Sequence, residues 1–201
     1  MRTKGLGESG LLLLDAVEVL EQVGSRYAVI GAMAASVHGV VRASMDADAV
    51  VSAPSHSLHE LERAFRRAGF AAELRHGEDG DPIAAVLALS DTYGNRVDLL
   101  AGLRGLDPAA FSRVVEVPFH GVLLRVVSRE DFIAMKLYAG RPLDLTDARR
   151  ALAAGRELID MDLLRRAADA YGAATSAALD RLLEEVFEGA EPGRAERPGS
   201  A

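Results

Sequence analysis

Cysteine is absent from the 201-residue sequence. Its absence excludes disulfides, thiol nucleophiles and zinc–thiolate sites, and it is compatible with a reducing cytosol, so we predict a cytoplasmic location. A long apolar run is absent from the N-terminus as well, because its only dense one, Leu11 to Leu14, is followed at once by Asp15. A run of that length is too short to cross a bilayer, and we expect no membrane partner.

Positive charge is in deficit. The formal net charge is -7 and the isoelectric point is about 5.3. Such a surface repels a nucleic-acid backbone unless a local basic patch is present, and we predict no binding to DNA. Lysine is scarce too, since only Lys4 and Lys136 occur among the 23 basic residues. This scarcity makes Lys136 a candidate for a specific role.

The first quarter of the chain alternates between helix and strand patterns. Apolar residues at helical spacing predict a first helix over residues 11–24. The β-prone run Tyr27 to Ile30 then ends at Gly31, and residues 32–37 favour a short helix. A second strand is predicted from Met45 to Val51. The unit therefore reads strand, glycine, helix, strand.

The rest of the pattern predicts an α+β fold, with a mixed β-sheet, flanking helices and a C-terminal helical segment. We expect a core with its N-terminal helix over residues 1–127, helices over 128–188 and a disordered tail over 189–201, which is rich in Gly, Pro, Glu and Arg. Pro54 and Ser55 open a predicted helix. Further strands are predicted at 71–75, 83–89, 96–100, 114–117 and 122–127, and further helices from 128 onward, at 143–154, 162–174 and 176–187.

Two carboxylates begin the second predicted strand. Asp46 and Asp48 are two residues apart, so in a strand both side chains point to the same face. Carboxylate oxygens are the ligands that Mg²⁺ prefers. The spacing alone is weak evidence, because two other pairs share it, one in a glycine-containing loop and one at a predicted helix start. Only Asp46 and Asp48 begin an apolar strand, so we predict that they bind metal.

Asp98 interrupts a later apolar strand and is a third candidate ligand. An unpaired carboxylate among apolar residues would carry a desolvation cost unless a cation met it. The alternative is that Asp98 faces solvent on an alternating strand. Together with Asp46 and Asp48, the ligand interpretation is favoured.

Gly31 and Lys136 are candidate phosphate contacts. Backbone N–H groups at Gly31 could approach phosphate oxygens without side-chain obstruction, although a lone glycine more often marks only a turn. Lys136 falls in the apolar stripe of its predicted helix with Phe132 and Ile133. It must either extend its ammonium into water or meet an anion, and we favour a phosphate or an acidic partner.

These residues together resemble the minimal nucleotidyltransferase superfamily, and most closely the AbiEii-like toxin-type nucleotidyltransferases. The family pattern is a strand, a Gly-x-x-Ala helix, an arginine and Asp-x-Asp, and the stretch YAVIGAMAASVHGVVRASMDADAVV over residues 27–51 is similar to it. GNRVDLL supplies the third acid, and SREDFIAMKLYAGRPLDLTDARRAL over residues 128–152 looks like the family's helical segment. The matching positions are Gly31, Ala34, Arg42, Asp46, Asp48, Asp98, Lys136, Arg141, Asp144 and Asp147.

The resemblance implies an enzyme that transfers a nucleoside monophosphate from an NTP to an RNA, such as tRNA, or to a protein. It also implies that the chain could be the toxin of a toxin–antitoxin pair, with an antitoxin partner. Two Mg²⁺ ions are expected with the NTP. The implied metal ligands and catalytic residues are Asp46, Asp48 and Asp98, and the implied nucleotide-binding residues are Gly31, Ala32, Ser36, Arg42, Lys136 and Arg141.

One position departs from the family pattern. The usual Gly-Ser is Gly31-Ala32 here, so the phosphate-binding hydroxyl is missing and backbone N–H groups and Ser36 would have to replace it. The alternative function is therefore a catalytically weak member that binds a nucleotide or a partner.

Overall fold

The computed structural model of the protein describes residues 1–42, 44–52 and 57–188. The prediction that Pro54 and Ser55 open a helix and the prediction of a disordered tail over 189–201 both fall outside these residues. The described part contains a seven-stranded mixed sheet. Its strands are β1 (Arg26–Val29), β2 (Asp46–Ser52), β3 (Ala71–His76), β4 (Ile83–Ser90), β5 (Arg96–Leu103), β6 (Val115–Phe119) and β7 (Val122–Val126). Their order in the sheet is β3-β4-β5-β2-β1-β7-β6.

Helices flank this sheet and then continue beyond it, which confirms the predicted α+β class. Within the described residues, none of them combines the length and the apolar character that crossing a bilayer requires. A 3₁₀ helix over Pro108–Phe111 and a π-helical turn over Glu184–Glu188 are the short additions. The α-helices are α1 (Ser9–Gln22), α2 (Gly31–Val37), α3 (Leu58–Arg67), α4 (Arg129–Ala139), α5 (Pro142–Ala154), α6 (Met161–Ala170) and α7 (Ala173–Leu183).

The core lies between the sheet and α1. This helix contacts β1, β2 and β5, and its run Leu12, Leu13 and Leu14 is fully buried. On β2, Ala47 and Ala49 are buried, as the period of two predicts for a strand with one covered face. The side chains between them therefore point to the opposite face of the sheet.

The C-terminal helices share this core. Phe132 and Ile133 of α4, Leu152 of α5 and Leu164 of α6 belong to the same buried cluster as the strands. Val127 also donates a backbone hydrogen bond to Val29 of β1, with an N–O distance of 3.0 Å. The helical segment is thus packed onto the sheet. The division of the chain into a core and a helical segment at residue 127 stays a prediction.

One predicted helix boundary is wrong. The apolar pattern predicted a continuous helix over 162–174, but α6 ends at Ala170 and α7 begins at Ala173. Gly172 has a φ of +104°, a conformation that L side chains rarely adopt. The chain turns at this glycine, and the helical pattern resumes on a new axis.

Candidate active site

Gly31 and Asp48 are in direct contact at the end of β1. Gly31 has a φ of +63°, and a Cβ built on it would lie 2.1 Å from Oδ2 of Asp48. Any other residue would therefore both strain the backbone and collide with the carboxylate. The N–H of Ile30 donates to the carbonyl of Asp48 at 2.9 Å, which fixes the turn beside β2. The glycine is required because this carboxylate lies over its backbone.

The three predicted acids lie on two adjacent parallel strands. Asp48 of β2 pairs in register with Asp98 of β5, and Asp46 pairs with Arg96 two residues earlier. All three acids are partly buried. In the part of the chain that the structure describes, no hydrogen bond or ion pair reaches their carboxylates. The sheet thus brings together negative charge on which Arg42, Lys136, Arg75 and Arg96 act only from a distance, without a direct ion pair to a described residue.

The carboxylates repel one another. Burial, reinforced by the charges of Asp98 and Asp46, raises the pKa of Asp48 above its usual range. Burial and the charge of Asp46 likewise raise the pKa of Asp98. A proton or a cation would relieve this repulsion.

The donor set fits Mg²⁺, because it consists of carboxylate oxygens with unneutralised charge. The side chains are not gathered for a metal, however. Among the described residues, no group of three or more histidine, aspartate or glutamate side chains is arranged to hold a metal ion. The shared sheet face is a feature of the structure, and metal binding by Asp46, Asp48 and Asp98 stays a prediction.

Lys136 meets buried carboxylates. Its Nζ lies 2.7 Å from Oδ1 of Asp144 and 3.0 Å from Oδ2 of Asp147, and both aspartates are only 1% exposed. Nη1 of Arg42 also contacts Asp147 at 3.0 Å, and Nε of Arg141 contacts Asp144 at 2.6 Å. The lysine therefore has the acidic partner that its position in an apolar stripe predicted.

This network fixes the predicted basic residues relative to one another. Arg42 precedes β2, Lys136 lies on α4, and Arg141 caps α5. Although burial alone would raise it, hydrogen bonds from Arg141 and Lys136 hold the pKa of Asp144 below its usual range. Asp144 is therefore ionised at neutral pH and holds two cations in place.

The partners Asp144 and Asp147 were not identified from the residue pattern as ion-pair partners of Lys136. Their signal is present in the sequence: two acids one helical turn apart, on a helix whose same face carries Ala148 and Ala151. Acids at such positions are rarely buried unless they are paired. The pairing itself depends on how α5 folds back on α4.

Ser36 does not present a free hydroxyl. Its Oγ donates to the carbonyl of Ala32 at 3.0 Å, the usual bond of a serine to the preceding helical turn. Ala32 itself is buried. Ser36 would have to give up this bond before it could donate to a phosphate, so it is a poor substitute for the missing serine.

A cavity of about 510 Å³ opens beside the turn at Gly31. Four charged residues line it, namely Asp48, Lys136, Arg141 and Asp144, and the other walls are mostly apolar. Asp98 does not line this cavity but two other depressions, one with Arg75 and Arg96 and the other with Arg75. Asp46 borders a separate depression together with Ser36 and Arg42. The three carboxylates thus line different cavities of the same sheet face.

Comparison with known proteins is consistent with this geometry. Residues 12–198 match the family model described as nucleotidyl transferase AbiEii toxin, type IV toxin–antitoxin system. A search of curated proteins gave no match.

Solved structures show the same fold. The complex of ANT(2″)-Ia with adenylyl-2″-tobramycin has 14% identity and a TM-score of 0.56, with 85% of this chain and 97% of that chain covered. A candidate nucleotidyltransferase from Thermotoga maritima has 19% identity and a TM-score of 0.53, with 75% and 96% covered. The predicted nucleotidyltransferase-like fold is therefore confirmed.

Proposed function

This chain belongs to the AbiEii nucleotidyl transferase toxin family, and from that membership we propose that it transfers a nucleoside monophosphate from an NTP to an RNA, such as tRNA, or to a protein. The acceptor hydroxyl oxygen forms a bond to the α-phosphorus, the bond from this phosphorus to the β-phosphate oxygen breaks, and pyrophosphate leaves. We further propose that the protein acts in the cytoplasm as the toxin of a toxin–antitoxin pair.

The pairing of Asp48 with Asp98 beside Gly31 is the observation that supports this proposal most. It places two carboxylates, neither of them in a direct ion pair with a described residue, in register on neighbouring strands, with one of them over a glycine backbone. A purely structural role does not explain that arrangement, because the fold would be more stable without two repelling charges. A site that receives metal-bound phosphates does explain it.

The metal would be held by Asp46, Asp48 and Asp98. When bound, two Mg²⁺ ions would neutralise the triphosphate charge and activate the attacking oxygen. Asp98 would accept the proton of the acceptor hydroxyl, a role that its raised pKa suits because a stronger base binds that proton more readily. Its position outside the cavity that Asp48 lines suits an acceptor that approaches from a different side from the NTP.

The cations of the site would hold the phosphates. Lys136 and Arg141 line the cavity together with Gly31. Because glycine has no side chain, a phosphate could approach the backbone N–H groups at this position. Arg42 borders the adjacent depression with Ser36 and Asp46, which suits contact with the leaving pyrophosphate. Because Asp144 and Asp147 fix the positions of these cations, little reorganisation is needed when the triphosphate binds.

A second function is favoured by one observation. Ala32 replaces the serine of the family pattern, and the hydroxyl of Ser36 is bonded to the helix. The site would then bind an NTP or a partner protein without efficient transfer. Restoring the hydroxyl with Ala32→Ser separates the two functions, because it raises the transfer rate only if the remaining machinery is competent.

The experiment that tests the proposal follows radiolabel from the NTP. The purified chain is incubated with Mg²⁺, total RNA or total protein, and each NTP labelled at either the α- or the γ-phosphate. Nucleotidyl transfer predicts α-label in the acceptor and no γ-label, with loss of the signal in Asp48→Asn. Retention of γ-label would indicate a kinase instead, and tight NTP binding without any label would support the second function.

A further inference from the structure

We infer that the apolar part of the cavity is a nucleobase subsite in which Tyr138 is the stacking platform, so that the base is held by its face and hardly read by its edges. This inference rests on the proposed function, because it assigns the base of the NTP that the site would bind. It goes further by predicting weak discrimination among the four nucleotides.

The lining of the cavity divides by polarity. Asp48 lies against Gly31, and Lys136 and Arg141, which share Asp144, act electrostatically on Asp48. The rest of the lining is apolar apart from the hydroxyl of Tyr138. Along β5, Leu100 lies two residues and Leu103 five residues past Asp98, and at about 3.3 Å per residue the latter is roughly 16 Å further on. A triphosphate near Asp48 would thus direct its nucleoside toward the apolar walls. These walls are formed by Ile30, Pro82, Ile83, Leu100, Leu103, Phe132, Met135, Tyr138 and Ala139.

Two aromatic residues belong to these walls. Phe132 is 1% exposed and its ring is tilted against His38, whereas Tyr138 is partly exposed. Its ring stacks on Tyr171, with a centroid distance of 4.8 Å and an interplanar angle of 30°. Tyr171 is packed in turn against Gly105, where a Cβ would lie 2.6 Å from Cδ1 of Tyr171. The backbone at Gly105, with a φ of +82°, therefore leaves room for this ring and holds it. A braced ring loses little conformational freedom when a base stacks on it.

The apolar walls contain little that could read a base edge. Among the residues that line the cavity, Tyr138 supplies the one side-chain hydrogen-bonding group outside the charged cluster. Strong discrimination between bases needs buried polar groups that the wrong base leaves unpaired. Stacking, in contrast, tolerates every base because each has a π-face. We therefore expect the four NTPs to bind within about tenfold of one another.

The test uses 2-aminopurine riboside triphosphate, whose fluorescence is quenched when the base stacks on an aromatic ring. Titration onto the full chain should quench the probe, and Tyr138→Phe should preserve both quenching and affinity. Tyr138→Ala should abolish the quenching and weaken binding by about five- to a hundredfold, the range expected for one base–aromatic stack. Tyr138→Leu provides a second variant if the alanine variant does not fold.

Two controls separate stacking from stability. Tyr93→Ala removes an exposed tyrosine from the turn between β4 and β5, outside the cavity, and should change nothing. Inorganic tripolyphosphate, which carries no base, should displace the probe from the wild type and should bind Tyr138→Leu with unchanged affinity. A merely structural role for Tyr138 would weaken tripolyphosphate binding as well, and this result would overturn the inference.

The remaining outcomes are also decisive. If the probe binds the wild type and Tyr138→Ala equally well, the subsite is wrong while the proposed function stands. If one natural NTP binds more than about a hundredfold better than the rest, the base is read by its edges and the inference is overturned. If the wild type binds neither the probe nor any NTP, the proposed function fails first and this inference with it.

Discussion

Replacing Lys136 by methionine removes one charge from the centre of the buried network. The ammonium contacts Asp144 at 2.7 Å and Asp147 at 3.0 Å, and the side chain is 11% exposed. Methionine has a similar unbranched shape and a good helix propensity, so α4 itself should persist. Two carboxylates, each 2% exposed at the side chain, would lose their shared partner.

The expected loss of stability follows from the partners that remain. Removing one member of a buried ion pair typically costs about 3–5 kcal/mol, because the other charge stays buried without compensation. Asp147 keeps Arg42, and Asp144 keeps Arg141, whose side chain is 77% exposed and so contributes little. We therefore expect the lower end of the range, about 3 kcal/mol. For a chain of this length that corresponds to a melting temperature lower by roughly 6–12 °C.

The assay is thermal and urea unfolding at pH 7 of Lys136→Met and of a matched control. Lys4→Met is the same substitution at the other lysine of the chain, which is exposed and should change stability by less than about 0.5 kcal/mol. If Lys136 contacted only a phosphate of the ligand, its loss would leave the stability of the fold unchanged. The ion pairs reverse that expectation.

A double variant tests the cause. Asp144→Asn in the Lys136→Met background removes the uncompensated charge, and the exposed Arg141 loses little by it, so part of the stability should return. The coupling energy of this cycle should be about 1–3 kcal/mol. The reasoning is refuted if Lys136→Met is no less stable than Lys4→Met, or if the double variant is less stable than the sum of the single variants predicts.

Three further predictions concern the carboxylates and the turn. Asp48→Asn should raise the melting temperature at pH 7. The raised pKa of Asp48 in the folded state stabilises the fold at low pH, and this contribution is lost as pH rises. The gain from the substitution should therefore vanish below the pKa of an aspartate in the unfolded chain, about 4, and unfolding curves across pH will test this. Mg²⁺ should raise the melting temperature of the wild type at pH 7, and it should raise that of Asp48→Asn by less. An equal rise in both proteins would argue against Asp48 as a ligand. Gly31→Ala should destabilise the chain by roughly 1–2 kcal/mol through its positive φ and should abolish NTP binding in calorimetry by displacing Asp48, whereas unchanged binding would contradict the contact.

The site was predictable where the chemistry is local. Two aspartates at a spacing of two on an apolar strand must share a face, and the structure places Asp46 and Asp48 on the face opposite Ala47 and Ala49. Asp98 was predicted to lie near them, and its pairing with Asp48 brings them into register. Periodicity alone could not give that register, because it depends on which strands of the sheet become neighbours.

The ion pairs were less accessible to sequence reasoning. Lys136, Asp144 and Asp147 meet because α5 folds back on α4 after Gly140, which has a φ of +66°. Periodicity indicates which face of a helix is apolar, but it does not indicate what another helix places against that face. The same holds for the contact between Tyr171 and Tyr138. It depends on the turn at Gly172, where the sequence pattern predicted a continuous helix over residues 162–174.

The stoichiometry of pyrophosphate release tests the central claim most directly. The purified chain, Mg²⁺, total RNA or protein, and the NTP that gives the strongest signal are combined, and pyrophosphate is measured beside the α-label retained in the acceptor. Transfer of a nucleoside monophosphate predicts one pyrophosphate for each label retained, and neither product from Asp98→Asn. Release of orthophosphate, or retention of label that is equal in Asp98→Asn, would contradict the assignment of this site.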